Sequence, residues 1–170
     1  MSLETPRDLF VHELSDTLSA EQIILKVLGE MITETKRPEL KKAFTDHHEE
    51  TEEQIANLQA VFKQLGEKPE KTLCFAADGL RKEHDALKEE KPKGLVLELG
   101  LLGGAGKTEH YEMASYTMLV QMATDLGETE SATLLKKNLA QEVETAKKVE
   151  AFAKALGKEA KAEMKATVAD

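Results

Sequence analysis

Six side chains in the sequence combine the right chemistry with the right spacing to hold a metal centre: Glu21, His47, Glu50, Glu109, Glu112 and Glu142. Each interrupts an apolar stripe at helical spacing. Position 21 falls in the heptad series of Leu14 and Leu28. His47, Glu50 and Gln54 fill the stripe between Phe44 and Leu58, and share one helix face because they lie three and four residues apart. Glu109 and Glu112 stand three apart between Leu102 and Tyr116, and Glu142 stands at heptad spacing between Leu135 and Val149. Taken singly, such a glutamate is usually a tolerated boundary residue. Taken jointly, five carboxylates on apolar faces with no Lys or Arg on the neighbouring stripe positions would repel one another, and desolvating even one unpaired charge costs several kcal/mol. Two divalent metal ions supply the missing positive charge most simply, since they accept bridging carboxylates together with an imidazole.

Such a site needs helices that deliver all six residues to one depth. Pro6, Pro38, Pro69 and Pro92 lie near segment starts, and Gly66, Gly127 and Gly157 near segment ends. This punctuation predicts long helices over about 6–35, 38–65, 94–126 and 128–156, with a shorter one over about 71–90. The first carries Leu14, Leu18, Leu25, Leu28 and Ile32, the second Leu40, Phe44, Leu58, Val61 and Leu65. The third carries Leu95, Leu99, Leu102, Tyr116, Leu119, Ala123 and Leu126, and the fourth Leu135, Leu139, Val149, Phe152 and Leu156. Four amphipathic helices make a bundle. Short links make the first and second long helices antiparallel, and likewise the third and fourth. The long link between the pairs returns the chain to its starting end. Two hairpins joined by one long crossover is the ferritin-like connectivity. The expected domain is a bundle over 1–157 with a charged tail over 158–170 that frays.

Depth is the check. From a turn near residue 36, Glu21 and Glu50 are each about 14 or 15 residues away, or roughly 21 Å at helical rise. From a turn near Gly127, the Glu109 and Glu112 pair and Glu142 are each about 15 to 17 residues away. With the second and third long helices parallel, all four helices present carboxylates to one mid-height layer.

Composition narrows the function classes. A net charge of −9 opposes unaided binding to nucleic acid or anionic lipid. No apolar run approaches the roughly 20 residues that span a bilayer, and no signal segment opens the chain. The single cysteine, Cys74, has no internal partner and fits a reducing compartment. The expectation is a cytoplasmic protein that engages neither nucleic acid nor membrane.

The segments Ser-Ala-Glu-Gln around Glu21, His-x-Glu-Glu-Thr with Gln-Ile over 47–55, Glu-His-Tyr-Glu-x-Ala-Ser-Tyr over 109–116 and the stretch around Glu142 resemble the bacterial YciE/YciF family of ferritin-like stress proteins. The resemblance runs from about residue 7 to 156. It implies a rubrerythrin-related di-iron bundle, often a homodimer. The expected cofactor is two iron ions per chain, with dioxygen or peroxide as the small-molecule partner. Departures from the wider ferritin pattern leave manganese as a competitor. The second helix reads His47-x-x-Glu50, the reverse of the usual Glu-x-x-His, and the fourth has Thr145 where a second histidine would stand. Tyr116, one turn from Glu112, is the candidate catalytic residue, placed to hydrogen-bond a ligand or a metal-bound oxygen species, with core packing as the equal alternative. Gln54 is a candidate support for a ligand. The enzyme class implied is a ferroxidase-like or peroxidase-like oxidoreductase. The competing reading is a metal-free structural or partner-binding bundle.

Other features read as structural. The run from Gly100 to Thr108 lacks the glycine spacing of a phosphate loop, and its small residues suit close approach to a neighbouring helix. His12 and His84 are expected at the surface or boundary, and His110 points about 100° away from Glu109.

Overall fold

The first helix is set by its cap. Thr5 accepts a hydrogen bond from the Asp8 amide, and the Asp8 carboxylate accepts one back from the Thr5 amide, with Pro6 fixing the first turn. From there the computed structural model, which describes residues 3–169, is all helical: α1 Pro6–Glu34, α2 Pro38–Leu65, α3 Phe75–Glu89, α4 Gly94–Asp125 and α5 Thr129–Ala169. Gly66 and Gly127 end α2 and α4 in the left-handed region, at φ 70 and 76, where L side chains are strained. Each turn is closed by an amide reaching five residues back, Glu67 to Phe62 and Glu128 to Ala123.

The architecture is a ferritin-like four-helix bundle with a helical crossover. Residues Gln64 and Ser131 pair at one end of the α2–α5 contact, and Glu50 and Thr145 pair further along it, so α5 runs against α2. Because α5 also turns back on α4, α2 and α4 are parallel, as the long crossover requires. The crossover climbs along α1. Ser15 and Ser19 accept the amides of Glu70 and Cys74, and at the far end Lys88 reaches Glu30 and Glu34 at 2.6 and 2.9 Å. Those serines hold the approach to Cys74 extended, so α3 starts at Phe75 and not at 71. The Cys74 thiol then caps α3 by accepting the Ala77 amide at 3.4 Å.

Mid-height polar side chains divide the apolar core. Phe10, Leu14, Leu58, Phe62, Leu119 and Leu135 pack on one side, and Ile24, Leu28, Leu40, Phe44, Leu101 and Leu156 on the other. On α1 the buried face follows Ile24 and Met31, while Leu25 and Ile32 are half-buried, because a stripe with a 3.6-residue period drifts across strict heptads. His84, expected at the surface or boundary, is buried with its Nε2 3.3 Å from Glu34. Among the glycines of α4 only Gly100 is closely approached by another helix, since a Cβ there would lie 2.7 Å from Leu87 Cδ2 and make that side chain shift.

The fourth helix also departs from the reading at Gly157. Instead of stopping, α5 continues to Ala169, and Glu159 pairs at 3.0 Å with Arg37, which also holds the buried Glu98 at 2.9 Å. The helical backbone at Gly157 has no positive φ, and a Cβ there meets nothing within 4 Å. Gly157→Ala is therefore expected to raise stability by about 0.5–1 kcal/mol in urea melts, as for any open helix-interior glycine. Gly127→Ala, with its positive φ, should lower it. A loss at Gly157 would mean that the helix ends there after all.

Candidate metal centre

Four buried side chains from three helices converge at the junction of the two apolar cores. His47 of α2, Glu109 and Glu112 of α4 and Glu142 of α5 each offer a ligand atom, all within 4.8 Å of one another. Glu21, fully buried on α1, completes the layer beside Glu112. The matched depths come from the two hairpin turns and the parallel α2–α4 pair. His47, on the reversed Glu-x-x-His position, is the one imidazole in the layer and lies 3.2 Å from Glu109 through its Nε2.

The hydrogen bonds around the layer aim donors at one oxygen of a carboxylate and leave the other turned inward. Tyr116 donates to Glu21 Oε1, and Gln54 Nε2 donates to Glu142 Oε1. Oε2 of Glu21, of Glu109 and of Glu142 and both oxygens of Glu112 are buried without a donor. Only a shared proton between facing carboxyls would turn those contacts into hydrogen bonds. Tyr116 is thus oriented by its polar group, not by packing alone. The buried Asn138 donates to the Tyr116 oxygen at 3.0 Å and to the Gln54 carbonyl at 3.2 Å, while accepting from Asn57 at 2.7 Å. With its oxygen already accepting, Tyr116 directs its proton to Glu21.

Glu50 stands at the rim. Its side chain is 30% exposed; it accepts from Thr145 at 3.1 Å and lies 3.6 Å from the ammonium of Lys148 and 3.9 Å from His47 Nδ1. Lys148 is the basic side chain that reaches this edge. His110 hydrogen-bonds the Gly106 carbonyl on the exposed face and takes no part. Asn138 was not singled out in the sequence, although it shares the three-and-four spacing of Leu135 and Glu142, and Thr145 was noted only as the residue in place of a second histidine. A polar residue on an apolar stripe was the available signal for Asn138, masked because it carries no charge.

The electrostatics follow from burial. Burial is the largest influence on Glu21 and raises it to about 7, against the lowering effect of the Tyr116 hydrogen bond. Burial, then the neighbouring carboxylates, pushes Glu112 well above the ordinary range. Glu142 is raised as well, chiefly by burial, though His47 opposes the shift. For His47 burial favours the neutral ring, but Glu109 and Glu50 outweigh it and hold it up to about 10. Glu50 is lowered, first by His47. A carboxyl raised from 4.5 to about 7 contributes stability that is full below pH 4.5 and lost as pH climbs through 7. An imidazole raised from 6.5 to about 10 contributes stability that is full below 6.5 and lost towards 10. Metal-free protein should therefore show a melting temperature that falls between pH 5 and pH 9. Glu112→Gln removes the carboxylate that has no donor and should blunt that fall. Glu109→Gln breaks the contact with His47 and is the poorer choice for relieving repulsion. A flat profile unaffected by Glu112→Gln would show that the layer does not hold protons in place of cations.

Comparison with known proteins agrees with the fold. The chain matches the family described as Domain of unknown function (DUF892) over residues 5–162. It is 38% identical over 146 residues to Protein YciF of Escherichia coli K12, covering 85% of this chain and 88% of that protein. The crystal structure of the E. coli stress protein YciF superposes with a TM-score of 0.88 at 35% identity, covering 92% of this chain and 99% of that one. YcfI of Rhodopseudomonas palustris, provisionally classed as a structural protein, gives a TM-score of 0.84 at 38% identity, with 88% and 95% covered. On both sequence and fold, then, this chain belongs to the DUF892 family, alongside YciF.

Proposed function

We propose that the layer holds two metal ions per chain, iron in the first instance with manganese as the competitor, and that the protein is an oxidoreductase acting on dioxygen or peroxide in stress protection. The observation that supports this reading is the set of buried, inward-turned carboxylate oxygens on Glu21, Glu109, Glu112 and Glu142, gathered with His47 and left without donors. A layer of that charge is relieved by divalent cations more fully than by one imidazolium. Glu21, His47, Glu109, Glu112 and Glu142 would hold the ions, with Glu50 joining from the rim. Bound iron would supply one-electron redox chemistry toward the oxidant.

The chain's own groups have definable tasks in this reading. Gln54 and Tyr116 fix the rotamers of Glu142 and Glu21, so that their free oxygens stay turned toward the layer. Asn138 keeps the Tyr116 proton directed at Glu21. Leu58 and Tyr116 on one side and Phe44 and Leu102 on the other limit water. No helix among the described residues is long and apolar enough to cross a membrane. In the same reading the protein works in the cytoplasm as a homodimer, and its net charge of −9 keeps it off nucleic acid and anionic lipid.

One observation favours a metal-free structural role, in line with the provisional class of YcfI. The Gln54–Glu142, Tyr116–Glu21 and His47–Glu109 contacts give the layer a partly self-sufficient polar network. Elemental analysis of protein purified without chelator and then supplied with ferrous ion decides between the two. The expected result is about two equivalents per chain. Metal at about 100 times its dissociation constant should add about 2.7 kcal/mol of stability, lost in Glu142→Ala and reduced in Glu50→Ala. No bound metal and no thermal shift would leave the structural role standing.

A further inference from the structure

The carboxylate layer is approached by two cavities that meet at the His47 and Glu109 pair; both are walled mainly by hydrocarbon, and they differ in size and in the charged side chains around the larger one. One, of about 220 Å³, opens between α2, α4 and α5, and its mouth carries Glu39, Lys42, Asp46, Glu50 and Lys148. The other is small, about 40 Å³, and lies between α1, α3 and α4. Most of its wall is hydrocarbon, from residues such as Ile24, Leu28, Met31 and Leu101, with His47 and Glu109 at its inner end and Arg81, His84 and Thr108 also on its lining. A buried water requires roughly 10–15 Å³ and two to four polar partners. The smaller cavity meets the first requirement, but most of its wall offers a water no partner. Such a wall accepts small apolar guests.

The outer end of this cavity is continuous with a surface groove between α3 and α4. Leu80, His84 and Gly104 line both the groove and the cavity. Gly104 lies in the interior of α4, where glycine costs about 1 kcal/mol relative to alanine. Packing does not call for it: a Cβ at Gly104 meets nothing within 4 Å, unlike Gly100, where Leu87 would have to shift. Gly104 is exposed and stands where groove and cavity share their lining, so a long side chain there would narrow the way between them. At the inner end the buried ring of His47 faces the Glu109 carboxylate, its Nε2 3.2 Å away.

We propose that the small cavity between α1, α3 and α4 binds one small, uncharged, apolar molecule, dioxygen in the function proposed above, and admits it past Gly104 to the edge of the carboxylate layer. Ions, water and peroxide have the larger cleft between α2 and α5 instead, with its charged side chains. The division follows from solvation. A charged or strongly hydrated species loses its hydration in a hydrocarbon-lined cavity, whereas a diatomic gas gives up nothing. The α3 crossover, besides returning the chain, is the outer wall of this chamber.

The identity of the guest rests on the proposed function, but the existence of the pocket does not, and the experiment separates them. Crystals of the metal-free full chain pressurised with xenon are expected to show xenon among Ile24, Leu28 and Leu101. Gly104→Leu should fold normally, because its side chain starts in open space and leucine favours helix, and it should abolish that site. Gly103→Leu, which lines only the outer groove, should keep it. In iron-loaded protein, Gly104→Leu should lower the rate of dioxygen consumption relative to that of hydrogen peroxide. Ordered water in place of xenon, xenon binding unchanged by Gly104→Leu, or an equal loss toward both oxidants would overturn the proposal. If the chain binds no metal, the proposed function fails while the xenon result still decides the pocket.

Discussion

Carboxylates held away from water at the centre of a bundle set the terms for the rest of this molecule. Glu21, Glu109, Glu112 and Glu142 are buried, with only His47 offering positive charge inside the layer. An ionised carboxylate in such a place costs several kcal/mol unless it is paired, protonated or bound to a cation. The two apolar cores on either side must therefore hold the layer together against its own repulsion. The amides of Gln54 and Asn138 and the phenol of Tyr116 serve the same end, satisfying one oxygen where they can and leaving the others for something the chain does not itself supply.

That constraint explains where the polar residues of the core sit. Asn138 would be an expensive residue on an apolar stripe if left alone, since a buried amide without partners costs a few kcal/mol. Here it donates twice and accepts once, and through Tyr116 it determines the direction of a proton two residues away in the network. Lys148 and Glu50 are the counterpart at the rim, where water screens both and their attraction is correspondingly weak. Similarity to YciF covers most of the chain, and the fold that positions the layer is shared by both proteins.

The crossover has two consequences beyond connectivity. By lying along α1 it shields the α1–α4 side of the bundle, and by packing Leu87 against Gly100 it comes close enough to line a largely hydrocarbon cavity at the layer's edge. The opposite side, between α2 and α5, has no such cover and stays polar at its mouth. The bundle thus reaches its buried site from two flanks, one lined by the crossover and one carrying charged side chains at its edge.

The sequence by itself determined the bundle, its connectivity and the depth of the layer. Apolar periodicity, proline and glycine punctuation and loop lengths are local properties, and the rise of a helix converts residue counts into height. It placed Glu21, His47, Glu109, Glu112 and Glu142 together for that reason. Tertiary structure alone decided what lateral contacts decide. Glu50 lies at the rim and not at the centre because α2 turns it toward Lys148 and Thr145. Glu109, not Glu112, faces His47. His84 is buried because α3 lays it against Glu30 and Glu34, and α5 runs past Gly157 because Arg37, held by Glu98 at the far end of the bundle, meets Glu159. Each depends on a partner distant in sequence, and helical spacing carries no information about which neighbour a side chain will find across the gap.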